Sequence, residues 1–329
     1  MRRLLLGMAA LGLCVGVTGQ AKAGYTFTTL DPPGSIRTEA QGINSCGEIV
    51  GFYEDAEHIV HGFLLIGEEY TFFDVPVPGT TWTQGSGIND CGEIVGRYIA
   101  DGIQHGYKRL SDGSYELLPD PPDGNSPQPY AINNSGQIVG WYDVGDTRYG
   151  FLLSGGKYTR IRPPGSTFTA PEGINNFGII VGVYEVDRRR HGFVRLSRGR
   201  FIYPPDVPGS RVTNNVGIND LGQISGSYIE EVGGVRHGLV LEYGQYTTPL
   251  DPPDAVDGVF ASGINASGWI VGPYTDAKER THGYLAIPDE DGRFSRPSPR
   301  NGRSDSGEQP WPSEHCRRTV ECNPNGEAP

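Results

Sequence analysis

What the chain lacks narrows its class first. No segment carries apolar residues at helical spacing for three turns, and Gly or Pro interrupts every ten residues or so, which excludes a helical fold. Beyond Val17 no run is apolar for long enough to span a bilayer, so no membrane span is expected in the mature chain. Bases are few, with 27 Lys and Arg against 39 Asp and Glu, and a nucleic-acid partner, which needs a basic face, is excluded. The run Arg188-Arg189-Arg190 reads as one solvated turn. There is no Gly-x-Ser-x-Gly, no phosphate loop and no His-Glu-x-x-His. No loop has the alternating acids of a calcium cradle, and no cofactor or metal is expected.

Glycine (49), proline (26) and tyrosine (17) are plentiful, which suits many short strands joined by tight turns. The N-terminus has the form of an export signal: Met1-Arg2-Arg3, an apolar stretch from Leu4 to Val17, then Ala21-Lys22-Ala23. This predicts a signal peptide over 1–23, cleavage after Ala23, and a secreted or periplasmic protein. An anchor at Cys14 is disfavoured by the bulky Leu13 before it. Losing Arg2, Arg3 and Lys22 leaves 24 bases against 39 acids, a net charge of −15.

The body is a repeat. Gly42-Ile43-Asn44-x-x-Gly47-x-Ile49-Val50-Gly51-x-Tyr53 is followed by His61-Gly62-Phe63, and the pair recurs six times. The repeated Ile falls at 43, 88, 132, 174, 218 and 264, at intervals of 45, 44, 42, 44 and 46. A period near 44 is that of propeller blades and too long for a β-helix coil. Each copy reads as four strands. The first is small (Ala40 to Asn44), as a strand crowded around an axis must be. An Asn-x-x-Gly turn follows, in which Asn44, Asn89, Asn133, Asn175, Asn219 or Asn265 bonds its own backbone and Gly takes a left-handed conformation. The second strand alternates Ile, Gly and Tyr on one face, with Val and a variable residue on the other. Its Gly predicts close approach of an aromatic ring from the neighbouring blade. The third begins at His61, His105, Tyr149, His191, His237 or His282. The fourth (Tyr70 to Asp74 in the first copy) ends in a Pro-rich corner and is expected outermost.

Tyr25 to Leu30 is a fourth strand standing ahead of the first copy, and Phe294 lies in a weaker version after the last. The expectation is an all-β, six-bladed propeller over 24–296, closed by the N-terminal strand, with residues 297–329 a disordered polar tail. The Gly-Ile-Asn and His-Gly-Phe elements resemble those of the HAF family of extracellular repeats over residues 25 to about 296. The resemblance implies an exported repeat protein, a propeller fold, and no particular activity. This chain departs from it in using Gly for the family's Ala, in Tyr149, and in lacking a Pro-Glu-Pro sorting tail.

The five repeated histidines could line a channel and bind a metal, but copies on third strands lie too far apart to converge on one ion. Each is instead expected to repeat a hydrogen bond between blades, to a main-chain carbonyl or the Tyr hydroxyl, with Tyr149 filling the same slot. Asp90 and Asp220 read as turn formers, as do Asp31, Asp74, Asp120, Asp206 and Asp251 beside the corners. Trp82, Trp141, Trp269 and Arg97 break the repeat but occupy different strand positions. Cys316 and Cys322 could close a small disulfide. Cys46 and Cys91, in equivalent turns of neighbouring blades, are not expected to bridge one another. The function these features favour is binding of a glycan or protein partner at the cell exterior by a monomer. A polysaccharide hydrolase or lyase, or a structural surface protein, is the alternative.

Overall fold

The computed structural model describes residues 24–145 and 147–289; the predicted signal peptide, Phe294, the tail and the Cys316–Cys322 pair lie outside them. The fold is all-β: 24 strands and no helix are found among the described residues. They fall into six successive groups that follow the sequence repeat. In the first, Arg37–Ile43, Ile49–Glu54, Val60–Ile66 and Glu69–Phe73 run antiparallel in sequence order. The last group has three strands of its own, Gly263–Ile264, Ile270–Thr275 and Thr281–Pro288. Its fourth partner is the N-terminal strand Tyr25–Leu30, which pairs antiparallel with Thr281–Pro288. Single parallel pairs such as Val60 with Trp82 and Arg148 with Phe168 tie some neighbouring repeats into larger sheets.

Register explains the repeated second-strand glycine. Gly51 stands opposite Phe63, Gly96 opposite Tyr107, Gly182 opposite Phe193 and Gly272 opposite Tyr284. A Cβ on Gly51 would come within 2.7 Å of the Phe63 ring and would also strike the Glu39 carbonyl. The ring that needs the space therefore belongs to the same repeat, not to a neighbour as the sequence suggested. Bare backbone at that point lets the third-strand aromatic fold flat across its own sheet. Tyr107 and Tyr284, fully buried, use that approach to donate their hydroxyls to the carbonyls of Gln84 and Phe260.

The core lies between repeats. Val50, Leu64 and Phe73 of the first pack with Ile88, Ile94 and Tyr107 of the second. Val95 then joins the third repeat's cluster, Val139 the fourth's and Val181 the fifth's. Val271 of the last repeat packs with Ile43, Ile49 and Phe63 of the first, alongside Leu30 from the N-terminal strand. The Val of the second strand thus acts each time as a peg into the following repeat. In the fifth repeat the position holds Ser225, fully buried, whose hydroxyl has no hydrogen-bond partner among the described residues.

The Asn turns bind the repeats to one another at their inner ends. Asn133 Oδ1 accepts from the amides of Ser135 and Gln137, shaping the turn around Gly136 at φ +70°, while its Nδ2 donates to Gln137 Oε1 and to the Asn175 carbonyl of the next repeat at 3.1 Å. The same donation runs from Asn44 to Asn89, Asn89 to Asn133, Asn175 to Asn219 and Asn219 to Asn265. Asn265 donates to the Asn44 carbonyl at 3.2 Å, returning to the start across 221 residues.

Two outcomes follow. Ser225→Val should raise stability by about 1 kcal/mol in urea unfolding, because it removes an unpaired buried hydroxyl and restores the peg. Asn133→Ala and Asn265→Ala should each cost about 3 kcal/mol, since both strand turn amides and an inter-repeat carbonyl without partners. A much smaller loss at Asn265 would show that the contact between the last repeat and the first contributes little.

Candidate functional site

Because the six first strands converge, their side chains divide the central space. Ile43, Ile88, Ile132, Ile174, Ile218 and Ile264 line both of two small axial chambers, each of about 80 Å³, and form a collar between them. On one side of the collar lie the six asparagines, with Asp90 and Asp220 at the rim. Asp90 accepts from the Ser45 amide and from Asn134 Nδ2, and Asp220 from the amide and Nδ2 of Asn176. The carboxylates are engaged by neighbouring turns, and this end is built from repeat-bearing residues.

The other chamber departs from the repeat. Its lining includes Gln41, Ser86, Tyr130, Glu172 and Ser262, which hold equivalent places on first strands. Burial pushes the Glu172 carboxyl up to about 7, against the opposing pull of Arg190 and Arg236. Burial likewise raises the Tyr130 phenol, which feels Glu172, Arg97 and Arg148.

Around this mouth stand arginines laid on rings. Arg97 lies 6.0 Å over Trp82 and bonds the side-chain oxygens of Gln84, Gln104 and Gln128 at 3.0, 3.1 and 2.7 Å. Arg148 sits 3.2 Å from the centroid of Trp141 and 5.3 Å from Phe168, and Arg190 covers the same Phe168 at 4.6 Å. Arg236 lies 4.2 Å over Phe260 and donates to Ser227 Oγ. Each contact has cation–π character; half-burial strengthens those of Arg97, Arg148 and Arg236 by excluding water, whereas Arg190 is exposed. The arrangement offers fixed guanidinium groups, amides and aromatic surface beside a closed pit, which suits recognition of a polar, partly anionic ligand.

Three of the four repeat-breaking residues singled out in the sequence, Trp82, Arg97 and Trp141, meet at this mouth. Trp269 does not: it closes the Asn265 turn at the opposite end, where its amide bonds Asn265 Oδ1. Arg148, Arg236 and Glu172 escaped the sequence reading, and Arg190, read there as part of a solvated turn, is exposed but lies on the strand Arg189–Arg195. Their signal was available, because the residue before each His or Tyr reads Val60, Gln104, Arg148, Arg190, Arg236 and Thr281, a variable column with an arginine run.

None of the repeated histidines, nor Tyr149, lines either chamber. Their partners differ from those expected. His61, His191, His237 and His282 place Nδ1 against the corner carboxylates of Asp74, Asp206, Asp251 and Asp31, at 2.9, 2.7, 2.7 and 2.6 Å, so these aspartates hold imidazoles as well as turning the chain. The ring of each packs against the second-strand Tyr, as His61 does, tilted, against Tyr53 at 5.3 Å. Burial alone would lower the His61 and His282 pKa values, but their two carboxylate contacts each raise them above the ordinary imidazole value. His105 stacks on Tyr98 while Pro119 stands at its corner. At Tyr149 the corner residue is Arg162, whose Nη1 reaches the phenol at 3.5 Å, so slot and corner change together. Cys46 and Cys91 are each disulfide-bonded.

By sequence the chain matches no protein-family model and no curated protein. By structure it is similar to TolB from Acinetobacter baumannii (12% identity, 75% of this chain and 65% of that one, TM-score 0.52). It is also similar to a streptogramin B lyase (14%, 79% and 97%, 0.45) and to the β-propeller domain of the Trilobed protease from Pyrococcus furiosus (9%, 76% and 95%, 0.48). At these identities the likeness speaks to fold alone: the chain is all-β, with a fold similar to that of the β-propeller protein TolB.

The raised Glu172 makes a pH prediction. Its folded pKa of about 7 exceeds the ordinary 4.5, so its stabilising share is complete below 4.5 and lost as pH rises through 7. Glu172→Gln stays neutral throughout. The two proteins should unfold alike near pH 4.5, and above pH 7 the Gln variant should be more stable by about 2 kcal/mol, less than the full shift implies because the chamber can admit water. Parallel urea curves at pH 4.5 and 8 measure the difference; equal stability at both would show the carboxylate to be well solvated.

Proposed function

We propose that the six repeats are six four-stranded blades of one ring, with Tyr25–Leu30 completing the last blade, and that the protein is an exported binding module for a glycan or protein partner. Closure is supported three times over, by the Asn265–Asn44 bond, by the cluster joining Val271 to Ile43 and Leu30, and by the His282–Asp31 pair. Export is supported by the N-terminal signal, and an oxidising compartment by the disulfide-bonded Cys46 and Cys91.

One observation carries the binding reading: most of the residues that break the repeat, Trp82, Arg97, Trp141 and Glu172 among them, gather at one mouth, while the repeat-bearing asparagines, with Trp269, occupy the other end. Symmetry alone would make the two ends equally regular. Departures gathered at one end mark where a unique ligand is read, and a concave polar site ringed by aromatics is a common form of such a site. A hydrolase finds less support, because glycosidic cleavage generally uses two carboxyl groups and, among the described residues, Glu172 is the one acid lining the chamber opposite the asparagines.

The test is the melting temperature of the mature protein against a glycan panel. A ligand at a thousand times its dissociation constant adds about 4 kcal/mol. One glycan should raise the melting point, Trp141→Ala should abolish the rise, and Phe177→Ser on the opposite end should leave it intact. A rise lost in Phe177→Ser and kept in Trp141→Ala would move the site to the asparagine end.

A further inference from the structure

Although the whole chain carries a net charge of −12, four guanidinium groups collect around one mouth. Arg148, Arg190 and Arg236 hold the same repeat position, immediately before the His or Tyr, in three consecutive repeats. In the repeat before them that position is Gln104, and Arg97 places its Nη1 3.1 Å from the Gln104 oxygen. There is thus one guanidinium per repeat over four successive repeats, and the row stops where Val60 and Thr281 take the position. We infer that this row is a subsite for an acidic saccharide with regularly spaced carboxylates, a uronate oligomer lying across the mouth. The inference rests on the binding reading above and adds the ligand's chemical class.

The charges are incompletely answered from within. Arg148 pairs with Asp143 and Arg190 with Glu185, at 3.1 and 3.4 Å. Among the described residues, Arg97 and Arg236 have no carboxylate within ion-pair distance, although both are half-buried. A half-buried cation with no direct ion pair is costly: Glu39 acts on Arg97, and Asp257 and Glu172 act on Arg236, only from beyond ion-pair distance, and burial still draws both guanidinium groups down. Leaving them so is unfavourable for a scaffold and favourable for a site whose ligand brings the missing charge.

The geometry points to carboxylates on a sugar backbone. The side chains are held before any ligand arrives, Arg97 by three amide oxygens and the others against rings, so little rotamer freedom remains to be lost on binding. A planar carboxylate matches the guanidinium fork. One arginine per repeat suits a polymer with one charge per unit. Behind the arginines Gln84, Gln128 and Ser227 are buried and, with Asn214, bond the guanidinium groups or one another, which holds the row in place.

The experiment is calorimetric titration of the full mature protein with tetragalacturonate, maltotetraose and tetraglutamate. Tetragalacturonate should bind, and its affinity should fall as salt rises. Arg148→Gln, Arg190→Gln and Arg236→Gln should each weaken it about tenfold. Arg148→Lys, which keeps the charge and loses the fork, should fall between, and Thr281→Gln, beyond the end of the row, should bind as wild type does. Circular dichroism and melting of each variant would show that lost binding is not lost folding. Equal binding of maltotetraose would overturn the acidic class and leave the binding reading standing. Equal binding of tetraglutamate would replace the saccharide with an acidic peptide. Binding of tetragalacturonate undiminished in the arginine variants would place it elsewhere, and no binding of any of the three would overturn this inference, leaving the glycan panel to decide the broader reading.

Discussion

Six side-chain amides govern the geometry of the molecule. Each repeated Asn does two jobs with one planar group: its oxygen caps its own turn, and its nitrogen reaches the carbonyl of the next turn around the axis. The Asn amide carries an acceptor oxygen and a donor nitrogen on separate atoms of one short planar group, so Asp would lose the donor and Ser the reach. The position is buried in every copy, where an unmade bond is expensive and a made one is reinforced by low dielectric. Because each bond joins a turn to the next, the spacing of the first strands is fixed by hydrogen-bond length. That spacing admits only small residues on most of the inner strand and leaves room for six isoleucines to meet at the centre.

With the inner ends set, outer cohesion comes from a second device, the imidazole held between a Tyr face and a corner carboxylate. It joins the start of the third strand to the end of the fourth within one repeat, and so gives the outermost strand a polar anchor where backbone pairing runs out. The last repeat follows the same rule with a carboxylate from the other end of the chain, Asp31. The third shows that the slot tolerates other chemistry when both partners change, with Tyr149 facing Arg162. Such exchange is expected of a structural contact, whose requirement is a matched pair and not a particular proton.

The period, the four-strand unit, the Asn turn and the pairing partner of the N-terminal strand were legible because each rests on local rules. Turn chemistry needs Asn44 and Gly47 only, and alternation needs only the strand itself. The partner of Gly51 and the partners of the histidines were misassigned for one common reason. Both depend on how far a side chain reaches across its own sheet, and sequence periodicity gives the face a residue occupies without the direction in which its side chain leans. The mouth was harder still. Trp82, Arg97, Gln128, Trp141, Arg148 and Glu172 come from three different strands of their repeats, and in a linear reading they share no spacing.

Their meeting nevertheless has a geometric cause. Trp82 and Arg148 lie in the N-terminal part of their strands, Arg97, Gln128 and Trp141 near the middle of theirs and Glu172 past the middle of its own, and antiparallel pairing sets Gln84 beside Arg97 and Trp141 beside Gln128. On the face of the mouth the connecting segments vary in length, so nothing in the repeat dictates what fills the space. The opposite face is crossed by the Asn-x-x-Gly turn, whose Asn side chain has both its oxygen and its nitrogen engaged. A substitution there breaks a turn and an inter-repeat bond together, whereas a substitution at the mouth alters one lining residue. Departures from the repeat can therefore accumulate at the mouth without breaking the bonds between repeats. That asymmetry in what each end can tolerate is the physical reason to look for recognition beside Arg148 and Glu172, and not among the asparagines.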